Sequence, residues 1–134
     1  MNPTILIVAR ESTVRSVTRR ILERRSFRTL EARDAQEAIA LFRAHLRELQ
    51  GVIVDLGMPE AGAEAIASEI RRSQPTLPIL FTGSYGEDAS SKRVSPDSVT
   101  GFLPKPFGLD ALARKAEDLF GGSSTDRVLA DPSR

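Results

Sequence analysis

The stretch Val52-Ile53-Val54-Asp55-Leu56-Gly57-Met58-Pro59 decides the fold. Three β-branched apolar residues end on a carboxylate, and Gly57 and Pro59 punctuate the chain directly after it. Such a run reads as a buried strand that carries Asp55 at its C-terminal edge. In open parallel α/β sheets that edge is where ligands bind. Fold and function both turn on which other segments converge there.

Toward the N-terminus, residues 4–9 contain Ile5-Leu6-Ile7-Val8, apolar without alternation, as in a central strand covered on both faces. Ser12 or Thr13 is placed to cap a helix with Val14, Val17, Ile21 and Leu22 at helical spacing, while Arg15, Arg19, Arg20, Arg24 and Arg25 fall mainly elsewhere on its surface. Residues 27–32 form a less apolar, edge strand. Asp34 and Glu37 make a capping-box-like start to a second helix, whose stripe runs through Ala35, Ala38, Ile39, Phe42, Leu46 and Leu49. His45 lies beside this stripe, with no second histidine or cysteine to build a metal set.

Toward the C-terminus, residues 62–72 read as a helix with Ala63, Ile66, Ala67 and Ile70 inward, broken by Gln74-Pro75-Thr76-Leu77-Pro78. Ile79-Leu80-Phe81-Thr82 is a fourth buried strand, and Gly83-Ser84-Tyr85-Gly86 a permissive loop at the Asp55 edge. Residues 87–98 carry Val94 as their one large apolar residue and support only a short or weakly packed helix. Residues 99–103 form a fifth strand. In Pro104-Lys105-Pro106-Phe107, which follows, a lysine is held between two prolines and one X-Pro bond is a candidate for cis. Leu109, Leu112, Ala113, Ala116, Leu119 and Phe120 line a last helix that Gly121-Gly122 would end.

Strands alternating with helical segments in this way specify an α/β fold: a doubly wound, five-stranded parallel sheet of the flavodoxin type, order 2-1-3-4-5, with helices on both faces. One domain over residues 1–121 and a disordered tail or linker at 122–134 account for the 134 residues. A formal charge of +1 gives no general case for a nucleic-acid or membrane partner, although eight arginines before residue 34 make the N-terminal quarter locally basic. Absence of cysteine excludes disulfides, thiolate metal sites and a Cys nucleophile. No apolar run approaches the roughly 18 residues of a membrane span, so a cytoplasmic location is the default expectation.

Ile5-Leu6-Ile7-Val8, Asp55-Leu56-Gly57-Met58-Pro59 and Phe102-Leu103-Pro104-Lys105-Pro106-Phe107 resemble, in order and spacing, the receiver domain of two-component response regulators, over about residues 4–120. The stretch at residues 77–87 looks most like receivers attached to hybrid sensor kinases. The resemblance implies a signalling module, not an enzyme, that works as an aspartyl-phosphate switch. A phosphohistidine would supply the phosphoryl group to Asp55, Mg²⁺ would screen it, Lys105 would contact a phosphoryl oxygen, and Gly57 would offer its carbonyl to the metal. It also implies a histidine kinase or another signalling protein as partner, for which the first helix is one candidate surface; its arginines otherwise read as a solvated face. Family members form homodimers or dock effectors through the face corresponding to residues 87–120.

The sequence departs from the family pattern around Asp55. Family receivers end the first strand in two adjacent acids, where this chain has Ala9 and Arg10, followed by Glu11. Mg²⁺ takes an octahedral oxygen shell, usually with one or two carboxylates; Glu11, Asp55 and Gly57 are weak candidates for it. With Arg10 and Lys105 against Asp55, the site is neutral or positive with no metal at all. At about 4 Å an Arg–Asp pair attracts by roughly 4 kcal/mol at an effective dielectric near 20, before desolvation is subtracted. Arg10 is therefore expected to stand in for the ion and pair with Asp55.

Aligned without gaps from Asp55 to Lys105, the position where the family carries a phosphoryl-binding hydroxyl is Gly83, and Thr82 faces away unless the register slips by one. Phe102 matches the family's aromatic switch position, or is simply packed at the sheet edge. The expected function is a phosphorylation-independent interaction module without a cofactor. The alternative is a working receiver phosphorylated on Asp55 with Mg²⁺. A small nucleotide- or flavin-binding enzyme on the same fold ranks far behind, because Arg10-Glu11-Ser12-Thr13 is no glycine-rich phosphate cradle.

Overall fold

The structure, a computed structural model, describes residues 3–83 and 100–121, the side chain of Glu60 excepted. Among them the elements run β1 (Thr4–Val8), α1 (Ser12–Glu23), β2 (Arg28–Ala32), α2 (Ala35–Ala44), β3 (Leu49–Asp55), α3 (Glu60–Ser73), β4 (Ile79–Gly83), β5 (Thr100–Pro104) and α4 (Leu109–Phe120). The helix expected within residues 87–98 and the tail at 122–134 lie outside the described residues. All strand pairs are parallel and the sheet order is β2-β1-β3-β4-β5, as the sequence predicts. Among the described residues no helix is long and apolar enough to cross a membrane.

The unalternating strands are explained by two cores. Leu6, Val8, Val52, Val54, Ile79 and Phe81 point to one face and pack with Phe42, Ile66 and Ile70 of α2 and α3. Ile5, Ile7, Ile53 and Leu80 point to the other and pack with Ile21, Leu22, Leu112 and Phe120 of α1 and α4. Because successive strand side chains alternate, β1, β3 and β4 each serve both layers and carry apolar residues in succession.

Several boundaries differ from the sequence reading, among them α3, which runs Glu60–Ser73 and not 62–72. The N-cap of α1 is Glu11, extended and without a side-chain cap bond, so neither Ser12 nor Thr13 caps; both already lie inside the helix. Leu49 is not on the α2 stripe. The helix ends at Ala44, a turn through His45 follows, and the amides of Glu48 and Leu49 both donate to the His45 carbonyl, so that Leu49 opens β3. Phe27 precedes β2 and packs edge-on against Phe120, ring centroids 6.3 Å apart. The start of α2 matches the expectation: the Asp34 carboxylate accepts from Glu37 N at 2.8 Å, and Glu37 Oε1 accepts from Arg33 N at 2.9 Å. Gly121 ends α4 in the left-handed conformation, at φ 84°.

Glu69 joins α2 to α3. Its nearly buried carboxylate accepts from Arg43 Nε at 2.9 Å and from Arg72 Nη2 at 2.5 Å. These hydrogen bonds, Arg43's first, hold the carboxyl below its usual range against the opposing effect of burial. A depressed folded-state pKa means that the contribution is complete above the unfolded glutamate value, about 4.3, and is lost as the pH falls through the folded value. Urea midpoints of the wild type and Glu69→Gln should therefore differ by a constant amount at neutral pH and converge in acid. A difference that persists unchanged at low pH would contradict this assignment.

Candidate functional site

The pleat of the sheet selects what gathers at its C-terminal edge. Ile53 pairs with Leu80 and Asp55 with Thr82, so Asp55 and Thr82 both continue the α1–α4 face. Two edge bonds fix the strand ends: Leu56 N donates to the Thr82 carbonyl and Lys105 N to the Gly83 carbonyl, each at 2.7 Å. Lys105 follows Leu103, which packs on that same face, and Lys105 reaches Asp55 across the top of β4. Its Nζ lies 2.5 Å from Asp55 Oδ1, and the Thr82 hydroxyl donates to the same oxygen at 3.2 Å. The Lys105–Pro106 bond is cis.

The Asp55 side chain is only 9% exposed and that of Lys105 33%. A buried carboxylate is tolerable when a cation and a hydroxyl share it, and the lysine's partial exposure limits its own desolvation. The second carboxylate oxygen leans over Gly57, where a Cβ would lie 2.9 Å from Oδ2.

Two expectations are corrected. Thr82 does not face away; the hydroxyl beside Asp55 is its own, and Gly83, which has none, contributes a backbone carbonyl to Lys105 N. The cause is the register Asp55↔Thr82, which an alignment by residue count does not contain. Arg10 does not pair with Asp55: it is exposed, and the cation on the carboxylate is Lys105. Alternation again explains the outcome. Ala9, buried, continues the Asp55 face after Ile5 and Ile7, whereas Arg10 lines a cleft with Met58, Pro59 and Gly62 on the α2–α3 side.

Glu11 is exposed. Among the described residues no three His, Asp or Glu side chains are grouped so as to hold a metal ion. Phe102 is half-buried and packs against the α2–α3 core. Ser84 and Tyr85 lie outside the described residues. Arg15, which the sequence places on a solvated surface, is a structural clamp. Its Nη1 donates to the carbonyls of Ala9 at 2.9 Å and Arg10 at 3.1 Å, and its Nε pairs with Glu31 of β2. The available signal was its position one turn into the helix that follows a buried strand.

A doubly wound sheet with a buried aspartate ending β3 and a lysine after β5 bonded to it defines the receiver class of signalling domain. The model of the response regulator receiver domain matches residues 5–117, and the chain belongs to that family. Sensor kinase CckA of Brucella abortus (strain 2308) is 33% identical over 116 residues, covering 87% of this chain and 12% of that protein. Transcriptional regulatory protein SrrA of Staphylococcus aureus is 31% identical over 107 residues, covering 80% of this chain and 43% of that protein. The chain thus spans less than half the length of either relative. The crystal structure of the receiver domain from hybrid histidine kinase CckA superimposes with a TM-score of 0.71 at 28% identity, covering 87% of this chain and 98% of that one.

Proposed function

We propose that this receiver acts in two-component signalling as a phosphorylation-independent interaction module, and that it does so without normal Mg²⁺-dependent chemistry at Asp55. The observation that carries this reading is the donor set. Mg²⁺ requires near-octahedral oxygen ligation with at least one or two available carboxylates. Here Ala9 brings a methyl group to the Asp55 face, Glu11 is exposed, and Asp55 Oδ1 already receives Lys105 and Thr82. These residues do not fit the ion. Asp55 is then a fixed anion in an ion pair, and the domain's output is what its surface binds.

Titration with beryllofluoride and Mg²⁺, followed by amide NMR, should leave the signals of Asp55, Lys105 and their neighbours unmoved. Saturable shifts there at ordinary Mg²⁺ concentrations would overturn the proposal. The second reading, a working phospho-acceptor, is favoured by one observation: a lysine and a hydroxyl both bonded to Asp55. It requires radiolabel transfer from a histidine kinase that Asp55→Asn abolishes.

The proposed partner is a histidine kinase or another signalling protein, which would place the domain in the cytoplasm. The α1 surface is the first candidate for its docking. Arg19 is engaged by Glu31 and Glu23, but Arg20 and Arg24 line a cleft between α1 and α4 beside Val17 and Leu109, the two most exposed large apolar side chains described. Charge reversal for this surface therefore belongs at Arg20 and Arg24. Of the face at residues 87–120 that family members use to dimerise, residues 87–99 lie outside the described residues.

A further inference from the structure

We infer that the cleft lined by Arg10 and Arg33 is a binding site for an acidic peptide segment of a partner protein. It measures about 580 Å³ and lies where the ends of β1, β2 and β3 give way to α2 and α3. Its wall is apolar. Met58 is buried, Pro59 caps α3, and Gly62 brings α3 so close to α2 that a Cβ there would meet both Ala35 Cβ and Met58 Cε at 3.4 Å.

Charge gives the cleft its selectivity. Many arginines elsewhere on the domain are already neutralised: Arg15 and Arg19 by Glu31, Arg25 by Glu117 and Asp110, Arg43 and Arg72 by Glu69. Among the described residues the Arg10 side chain has no such partner. The Arg33 side chain, 71% exposed, pairs with Glu37 through Nε at 3.5 Å, and its terminal Nη1 and Nη2 point the open end of the fork elsewhere. Among the described side chains the one carboxylate in the lining, Asp34, is committed through Oδ1 to the Glu37 amide. Among the described lining side chains, two guanidiniums with open terminal donors thus face one engaged carboxylate, and this set is net positive.

A guanidinium binds a carboxylate through two parallel N–H···O bonds, and does so better than a point charge would. With Asp34 capping α2, the anion-binding groups are the arginines and not the helix end. Pro59 and Ala35, backed by Met58, add a surface for an apolar side chain next to the acidic ones, which a peptide offers and a free phosphate does not. The inference rests on the interaction-module reading and goes beyond it by naming the partner's chemistry.

The test is a titration of ¹⁵N-labelled protein with the peptide Glu-Leu-Glu-Asp-Leu, following amide and arginine Nε–Hε signals. Saturable shifts are expected at Arg10, Arg33, Ala35, Met58 and Gly62, weakening with salt as exposed ion pairs do. Arg10→Gln combined with Arg33→Gln should reduce affinity by about tenfold or more. Both side chains are exposed, and unchanged amide spectra elsewhere will confirm the fold. Arg20→Gln with Arg24→Gln should leave binding as it is. Affinity lost only in that second pair would overturn the cleft while leaving the interaction-module reading intact, and so would the absence of any saturable shift. A beryllofluoride response at Asp55 would instead overturn the interaction-module reading, whatever the peptide does.

Discussion

Gly51→Ala should destabilise the domain by about 2–3 kcal/mol, the upper range for forcing a methyl group into a packed core. A Cβ at this position lands in the Phe120 ring, 2.5 Å from Cε1 and 2.8 Å from Cγ. Neither side can give way cheaply. Phe120 is 3% exposed and held edge-on against Phe27, while Gly51 pairs with Ile5 in the centre of the sheet. Phe120→Leu makes room, so the double variant should be more stable than the sum of the two single effects implies, by about 1 kcal/mol or more. Gly108→Ser is the control: a Cβ there meets nothing within 4 Å, and a serine at the α4 N-cap adds a few tenths of a kcal/mol. Urea midpoints with unchanged m-values measure all of these. A neutral Gly51→Ala would show that Phe120 does not close over β3 as described.

Gly51 also illustrates how far the sequence reaches. The strand order follows from patterns local to each strand, because Ile5-Leu6-Ile7-Val8 and Val52-Ile53-Val54 can only be buried on both faces. The reason for a glycine directly before the second run is an aromatic ring on the last helix, which no local pattern contains. Helix ends were illegible for a similar reason. Leu46 and Leu49 continue the α2 stripe by spacing, but the backbone turns at His45 and Leu49 reaches the core from a strand instead.

At the site, the strand pattern pointed to Asp55 and the family resemblance to Lys105, and the structure brings the two together in an ion pair. What the sequence could not supply was direction. Counting residues put the hydroxyl position at Gly83, whereas pairing Ile53 with Leu80 turns Thr82 toward Asp55. Counting charges put Arg10 on Asp55, whereas one further step of alternation sends it to the opposite face, beside Met58. Both differences come from the two-residue period of a strand, in which a shift of one changes every neighbour.

Lys105→Met should cost about 2–3 kcal/mol at neutral pH, somewhat below the full range for breaking a buried pair because the lysine is partly solvated. Methionine keeps most of the stem, so what is lost is the cation beside a carboxylate 9% exposed, left with the Thr82 hydroxyl alone. Asp55→Asn should cost only about 1 kcal/mol, since the freed Lys105 can turn to water and the amide oxygen still accepts from Thr82. This asymmetry is the signature of an anion held by a lysine. Mg²⁺ decides what the anion is for. A ligand that binds only the folded state adds stability with its concentration, about 1.4 kcal/mol at ten times its dissociation constant. If Asp55 were a working metal ligand, removing its lysine would free Oδ1 for the ion, and millimolar Mg²⁺ would restore the midpoint of Lys105→Met. With a methyl group from Ala9 on the Asp55 face and Glu11 exposed, the proposed interaction-module reading expects no restoration, and its occurrence would overturn that reading.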